Sequence, residues 1–547
     1  MSVSQRIVWG IVLVLLGINV PVFLCLHLTL DTVIYDLQAR CALEGGVLYQ
    51  DIVEPNLPGV VWVHMFVRSI FGWSDVVLRL FDLAVVTGII AVLSRLILRR
   101  DKSLFSRQSA LLTLSVFAFY LGLLEWCHCQ RDLWMLLPCL LAVQCRISRL
   151  EKREEDLSSK QVAASAFLEG IYWSIAFWIK PHIAVPALCV ILMSAWLTKN
   201  RTRIAIEISG VLAGGILMGI LGSLWLIQTG AWDAFWVMQL EWNPEYVSTG
   251  RSRLTAERMV GLWNVFFPWS WAHVVALIVS ARTIQTNIIE KSQRQPRLLL
   301  LIALYIGWLV QVFVLQYPFM YVHVPALVLA LAISLSVRIP SQFQSIVWKG
   351  FAVACLLVVL TSPILSPVRL SSWWDCVSSG PSMKLRKKIQ VDPQPSWEHL
   401  EPVIAYLKEQ GVQDGEVTVY TNHLVQIYPE LEIRPSTRYV FLDTLARLFK
   451  SRTDEISLAL EQCQHRFAVS SLTDAGMTEE ELQTPNNPET QLPEAFPEDG
   501  FELFPFSQPV VFRSGPYVVH RVTQPIGKLA TEFDPLKHKA RIATEPE

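Results

Sequence analysis

The chain has 547 residues, of which 52% are hydrophobic and only 17% charged, with a mean hydropathy of +0.39. That is too apolar for a soluble enzyme of several domains, and a lipid bilayer is the expected solvent. With a net charge of -1 and a pI near 6.8, nothing in the overall balance points to nucleic acid or another generally polyanionic partner.

About 20 apolar residues cross a bilayer as a helix, and fewer suffice inside a bundle. About eleven such stretches are expected on that length. They fall near residues 7–28, 76–98, 108–125, 132–148, 162–179, 182–197, 204–228, 260–281, 297–315, 320–338 and 346–366. The first reads as an anchor, because Pro21 interrupts it and no small-residue cleavage site precedes Asp31. Lys180-Pro181 breaks what would otherwise be one apolar stretch from 162 to 197, since proline cannot continue the helix ladder and lysine is costly at mid-membrane. A hairpin tip fits that break.

Basic residues cluster in every second loop: Arg99, Arg100, Lys102 and Arg107; Arg146 to Lys160; Lys199, Arg201 and Arg203; Arg282 to Arg297. Such loops face the cytoplasm, which places the N-terminus inside and residues 368–547 outside. The expected organisation is a multi-span membrane domain over 1–367 with an external loop at 29–75, an extracytoplasmic α/β domain over 368–523, and a flexible tail over 524–547. In the second domain Leu400, Val403, Ile404 and Leu407 have helical spacing, and Val417 to Tyr420 and Phe467 to Val469 read as strands. Val510 to Phe512 and Tyr517 to Val519 predict a hairpin closed at Ser514-Gly515-Pro516, and the stretch from Thr473 to Gly500 reads as a long loop.

Several of the ten cysteines (Cys25, Cys139, Cys145, Cys189 and Cys355) lie in apolar runs, where they act as small hydrophobes. Cys127-His128-Cys129 lacks zinc-knuckle spacing and has no second pair after it. Cys376 and Cys463 both fall in the expected external domain, where an oxidising compartment would allow a disulfide between them.

The densest chemistry follows the first span: Asp31, Tyr35, Asp36, Ala39 and Arg40, then Glu44-Gly45-Gly46, Tyr49, Asp51 and Glu54-Pro55-Asn56-Leu57-Pro58-Gly59. A plain connector needs neither this length nor so many carboxylates. A carboxylate held partly desolvated at the membrane surface has a raised proton affinity unless a cation or donor offsets it, which makes Asp31 a candidate base. Residues 57–71 are apolar but short, which suits a helix lying in the interface.

This loop resembles the first external loop of the glycosyltransferase C superfamily, in particular its bacterial mannosyltransferase and aminoarabinose-transferase-like branch. Asp31, Tyr35, Ala39, Gly45, Gly46, Tyr49, Asp51, Glu54 and Pro58 occupy the positions of that pattern, and Asn56-Leu57-Pro58 stands where many members carry Lys-Pro-Pro. Further along, Gln130-Arg131-Asp132, Trp178 to His182, and Gln316-Tyr317 with Tyr321 and His323-Val324-Pro325 match later motifs of the family in order.

The resemblance implies a polytopic α-helical enzyme of a bacterial inner or plasma membrane. It would transfer a sugar from a polyprenyl phosphosugar donor to a glycan, lipid or protein acceptor on the outer face. Asp31 is then the base of an inverting displacement, with Asp132 and Glu54 as further catalytic carboxylates. Tyr35, Asn56, Arg131, Lys180, His182, Tyr317 and His323 are the expected substrate-binding residues. The resemblance assigns no cofactor and leaves dependence on a divalent cation open.

Plainer roles stay open. Asp132 also reads as a helix N-cap, Lys180 and Arg131 as side chains reaching toward phospholipid headgroups, and His323 as a packed histidine. The loop from Gln228 to Met259 suits either closure over a substrate or a connector at the interface. A transporter or a non-catalytic envelope assembly protein would share the spans, but no inverted repeat is evident and the candidate charges gather on one face.

Overall fold

The computed structural model describes residues 3–529 except 99–102, 104, 153–156, 199, 252–254, 290–294, 317–318, 337–349, 393, 498–499, 524 and most of 351–360, of which only 353 and 357–358 are described. The protein is mostly helical, with a small sheet near its C-terminal end. In chain order the helices are α1 (Val3–Cys25), α2 (Leu30–Leu43), α3 (Gly59–Phe71), α4 (Asp75–Ile97), α5 (Arg107–Leu121), α6 (Arg131–Trp134), α7 (Leu136–Leu150), α8 (Ser159–Ile179) and α9 (Ala184–Leu197). Then come α10 (Arg201–Gln228), α11 (Trp232–Val237), α12 (Asn243–Arg251), α13 (Ala256–Val265), α14 (Trp271–Ile289), α15 (Pro296–Val310) and α16 (Met320–Leu335). Among the described residues, six helical stretches are long and apolar enough to cross a bilayer, and Gly59–Phe71, Pro181–Leu197 and Met320–Leu335 are shorter apolar helices. The chain is a polytopic membrane protein.

The chain divides into two compact units. The first comprises residues 1–27, 56–226 and 250–391 and holds the helical bundle. Local signals set its helices. The Ser106 hydroxyl accepts from the Ser109 amide at 3.2 Å to start α5, Ser158 and Gln161 form a reciprocal capping box at the start of α8, and Pro296 opens α15. The break at Lys180-Pro181 is observed: α8 stops at Ile179, and α9 resumes after a single tight turn.

The expected span over 260–281 is instead two helices, α13 and α14, separated by Phe266 to Ser270. Pro268 has no amide to donate and keeps its predecessor out of helical geometry. The expected span at 346–366 lies largely outside the described residues.

Small residues bring α8 and α10 together. A Cβ on Gly170 would collide with the Val211 carbonyl, and one on Gly214 with that of Phe167, so the backbones touch in the manner of apolar helices that pack through small residues. Buried charges tie the same helices to α7. Arg146 donates to Glu169 at 2.7 Å and lies 3.4 Å from Glu207, while Arg149 pairs with Glu169 and Arg203 with Glu207. Breaking a buried pair strands a charge, so this cluster enforces one arrangement of the three helices.

Residues 368–391, read from the sequence with the soluble domain, belong to this first unit. Arg369 pairs with Glu125 at 3.2 Å and Arg386 with Asp75 at 2.8 Å, while the Cys25 thiol donates to the Cys376 carbonyl at 3.7 Å. Cys376 and Cys463 are both free thiols, and they sit in different units.

The second unit gathers residues 28–55, 227–249 and 392–547. Its sheet has the order β1-β2-β5-β4. Here β1 (Val417–Val419) is parallel to β2 (Phe467–Ser471), while β5 (Tyr517–Arg521) is antiparallel to both β2 and β4 (Val510–Ser514). A separate short ladder pairs β3 (Leu503–Phe504) with β6 (Lys528–Leu529). Helix α17 (Trp397–Glu409) buries Leu400, Val403, Ile404 and Leu407, the predicted face, and α18 (Thr453–Gln462) buries Ile456 and Leu460. The expected loop from Thr473 to Gly500 contributes a core of its own, in which Ala475, Met477, Leu492 and Phe496 pack with Leu472, Phe506 and Val518.

Candidate functional site

In the first unit the chemistry centres on Asp132. The chain leaves α5 at Gly122, runs through a short turn at Glu125–Cys127, and enters the single helical turn α6, which carries Arg131 and Asp132. Asp132 is fully buried and Arg131 nearly so. Lys180 caps α8 with extended backbone, and from there its ammonium donates to Asp132 Oδ1 at 2.8 Å and to Gln316 Oε1 at 2.6 Å. Three segments distant in sequence therefore meet at one lysine.

Four buried polar atoms here have no hydrogen-bond partner among the described residues: Asp132 Oδ2, Gln316 Nε2, His182 Nδ1 and His323 Nε2. His182 and His323 both lie within electrostatic range of the Asp132 carboxylate, and Arg131 within that of His182. Buried polar groups are normally satisfied, so a cluster of open donors and acceptors around an ion pair suits a polar ligand. Tyr317 lies outside the described residues.

Helix α3 abuts this region. A Cβ on Gly59 would collide with the backbone of Trp178 and Ile179, so the start of α3, just after the half-buried Asn56, lies against the end of the helix that delivers Lys180. Trp62 packs on Trp178 and Trp225 with ring centroids 5.1 and 5.3 Å apart, and His64 lies 5.4 Å from the Trp134 ring.

The remaining candidates belong to the second unit. Asp31 sits half-buried in the first turn of α2, where the helix dipole favours a carboxylate, and Tyr35 is buried one turn later. Glu54 is buried and accepts from Gln38 Nε2 at 2.8 Å. Burial, with the Glu54 charge adding to it, pushes the Tyr49 phenol up from its ordinary range.

Between them the Gly45-Gly46 turn has a structural logic. Gly45 has φ +90, a Cβ on Gly46 would meet the Cys41 thiol at 2.5 Å, and Asp51 Oδ2 accepts from the Val47 amide at 2.7 Å. Asp51 is thus a turn brace. Residues 28–55 dock on the C-terminal part of the same unit, with Val53 N–H donating to Arg438 O at 2.9 Å and Gln426 Nε2 to the Leu28 carbonyl.

The Gln228 to Met259 stretch is mostly helical, and its part within this unit is pinned there. Trp242 packs on Phe449 at 4.9 Å, Arg452 donates to Glu241 at 2.6 Å, and Phe235 meets Tyr49 at 5.7 Å.

Sequence reading missed Gln316 as a binding residue, and it passed over Arg79 and Asp82, both fully buried in α4. An arginine and an aspartate inside an apolar span are themselves the signal that could have found them. Among the described residues no group of three or more His, Cys, Asp or Glu side chains is placed to hold a metal ion, and His128 instead bonds the Tyr120 carbonyl at 2.8 Å.

No protein-family model and no curated protein matches the sequence. Solved structures do match in fold. ArnT from Cupriavidus metallidurans bound to undecaprenyl phosphate superposes with a TM-score of 0.58 at 13% identity, covering 96% of this chain and 99% of ArnT. Its apo form gives 0.57 at 14% identity over 93% and 97%. The archaeal oligosaccharyltransferase AglB from Archaeoglobus fulgidus, in complex with an inhibitory peptide and a dolichol-phosphate, gives 0.46 at 10% identity over 86% and 69%. The chain shares the ArnT fold over nearly the whole length of both chains.

Proposed function

We propose that this protein is a membrane glycosyltransferase that moves a sugar from a polyprenyl phosphate carrier to an acceptor on the extracytoplasmic face. The observation that carries this reading is the buried Lys180, Asp132 and Gln316 cluster with its open polar atoms, set in a fold shared over nearly the whole chain with a protein solved with undecaprenyl phosphate. In this reading Lys180, with Arg131 and His182 beside it, offsets the charge that develops on the departing phosphate. Gln316 and His323 orient the donor through hydrogen bonds.

Asp31 acts as the base. The acceptor hydroxyl gives it a proton while attacking the anomeric carbon, the bond to the phosphate oxygen breaks, and the configuration inverts. It stands half-buried in the first turn of α2. Asp132 and Glu54 then order the acceptor and the loop. The N-terminus is cytoplasmic and the C-terminal domain extracytoplasmic, following the alternation of basic loops.

Purified protein in lipid nanodiscs, given a polyprenyl phosphosugar and candidate acceptors, should release polyprenyl phosphate. Asp31→Asn should abolish release while the protein stays folded. Full turnover by Asp31→Asn rejects the base assignment. Uptake of solute into proteoliposomes, with no release from any donor, would instead favour a transporter.

A further inference from the structure

Helix α4 carries two buried charges one turn apart, and neither takes part in the chemistry proposed above. Arg79 and Asp82 are 1% and 0% exposed in a helix otherwise apolar enough to span a membrane. Hydrophobic side chains of similar volume would hold such a helix at least as well, so charges retained there point to specificity of arrangement.

Each charge spends its hydrogen bonds on a different neighbouring segment. The Arg79 guanidinium donates from Nε to the Leu26 carbonyl at 3.0 Å and from Nη2 to that of His27, and it stacks over the Phe23 ring at 4.8 Å. Leu26 and His27 are the first residues past α1, where no further helical turn satisfies the carbonyls. His27 precedes Asp31 by four positions. The planar fork of arginine fixes two carbonyls at once, which a point-charge lysine cannot do.

Asp82 reaches the other way. Its Oδ1 accepts from Trp134 Nε1 at 2.7 Å and its Oδ2 from the Tyr120 hydroxyl. Trp134 closes the same helical turn that carries Asp132. Tyr120 in turn holds the approach to that turn: its carbonyl bonds His128, and its hydroxyl accepts from the Cys129 amide at 3.3 Å, where Cys129 has φ +57. A non-glycine residue in that left-handed region persists only where its surroundings hold it.

We propose that Arg79 and Asp82 are positioning residues: one rigid helix holds both the end of α1 and the seat of Asp132. This assignment rests on the reading of Asp132 as a working group, and two measurements separate the two ideas.

The first is hydrogen exchange on the full-length protein in nanodiscs without substrate. Asp82→Ala should speed exchange over 125–135, Arg79→Met over 26–33, and each should leave the other segment unchanged. Unchanged exchange in both variants overturns the proposal, whatever the protein catalyses.

The second is transfer kinetics with an undecaprenyl phosphosugar probe. Asp82→Ala and Arg79→Met should lower kcat by about tenfold to a hundredfold while moving the donor KM less than about threefold, as expected for misplaced rather than missing reacting groups. Arg79→Lys should restore only part of the loss, and Trp134→Phe should show a smaller loss of the same kind. Folded Asp82→Ala with wild-type kcat, or a loss confined to KM, overturns the positioning role. Altered exchange in the variants together with a wild-type protein that transfers no sugar would reject the glycosyltransferase reading and leave the clasp standing.

Discussion

The ammonium of Lys180 stands 2.8 Å from Asp132 Oδ1, in a position where Asp132 is wholly buried and the lysine nearly so. Removing one partner of such a pair leaves an uncompensated charge, at a cost of about 3–5 kcal/mol. Lys180→Met should therefore lower the melting temperature markedly, and adding Asp132→Asn should recover much of the loss. Melts of the wild type, both single variants and the double variant check this. Simply additive losses would mean that the two side chains do not act as a pair.

If Asp31 is the base, transfer must fail on the acid side as its carboxylate takes up a proton. We expect kcat/KM to fall toward low pH in the wild type. Asp31→Asn should lower the rate by about 100-fold to 10,000-fold, and the residual activity should lack that acid limb. A pH series on both proteins reads this directly, and an acid limb that survives in the variant assigns it to another group.

The contact between α8 and α10 leaves no room for side chains at Gly170 and Gly214. Gly170→Val or Gly214→Val should separate the helices and destabilise the bundle by about 1–3 kcal/mol or more. Gly215, on the same helix with open space around it, is the control: Gly215→Ala should be neutral or slightly stabilising. Detergent-resistance melts distinguish the three.

In the second unit, Asp443 is buried beside Arg447, which donates to it at 2.8 Å. Burial outweighs that arginine and pushes the Asp443 carboxyl up to about 6, and burial does the same to Asp474. A carboxyl raised on folding contributes stability that is full below its ordinary value of 3.8 and is lost as pH rises through about 6. His423, 3.3 Å from Asp474, works in the opposite sense: burial pushes it down to about 4, so its contribution is present above 6.5 and lost as pH falls through about 4.

The difference between Asp443→Asn and wild type isolates the first effect. The variant should match the wild type near pH 4 and be the more stable of the two above pH 7. Hydrogen exchange in β1 and β2 across that range measures it, and a constant offset would contradict the assigned shift.

Much of the architecture was legible because bilayer crossing is a strong constraint on composition and length. Lys180-Pro181 announced its hairpin, and Leu400, Val403, Ile404 and Leu407 announced the buried face of α17. The candidate residues were legible one by one, but their grouping was not. Nothing in the spacing of Asp132, Lys180 and Gln316 says that one ammonium bridges the other two. That depends on how α8 ends and on where the chain emerges from α15. Likewise the stretch around Trp242 offered equal support for a lid and a connector, since its partners Phe449 and Arg452 lie some two hundred positions away. The break between α13 and α14 was missed because an apolar window averages over a single proline.

The second unit is assembled from three stretches of chain that synthesis delivers at very different times. Gln426 grips the Leu28 carbonyl across 398 positions of sequence. The loop bearing Asp31 therefore emerges early, and its contacts to Gln426 and Arg438 form only once most of the polypeptide has been made. Long-range closure of this kind is slow and leaves its members exposed meanwhile. That loop is thus among the last parts of the molecule to mature, and a chain halted after the bundle would lack its docking partners.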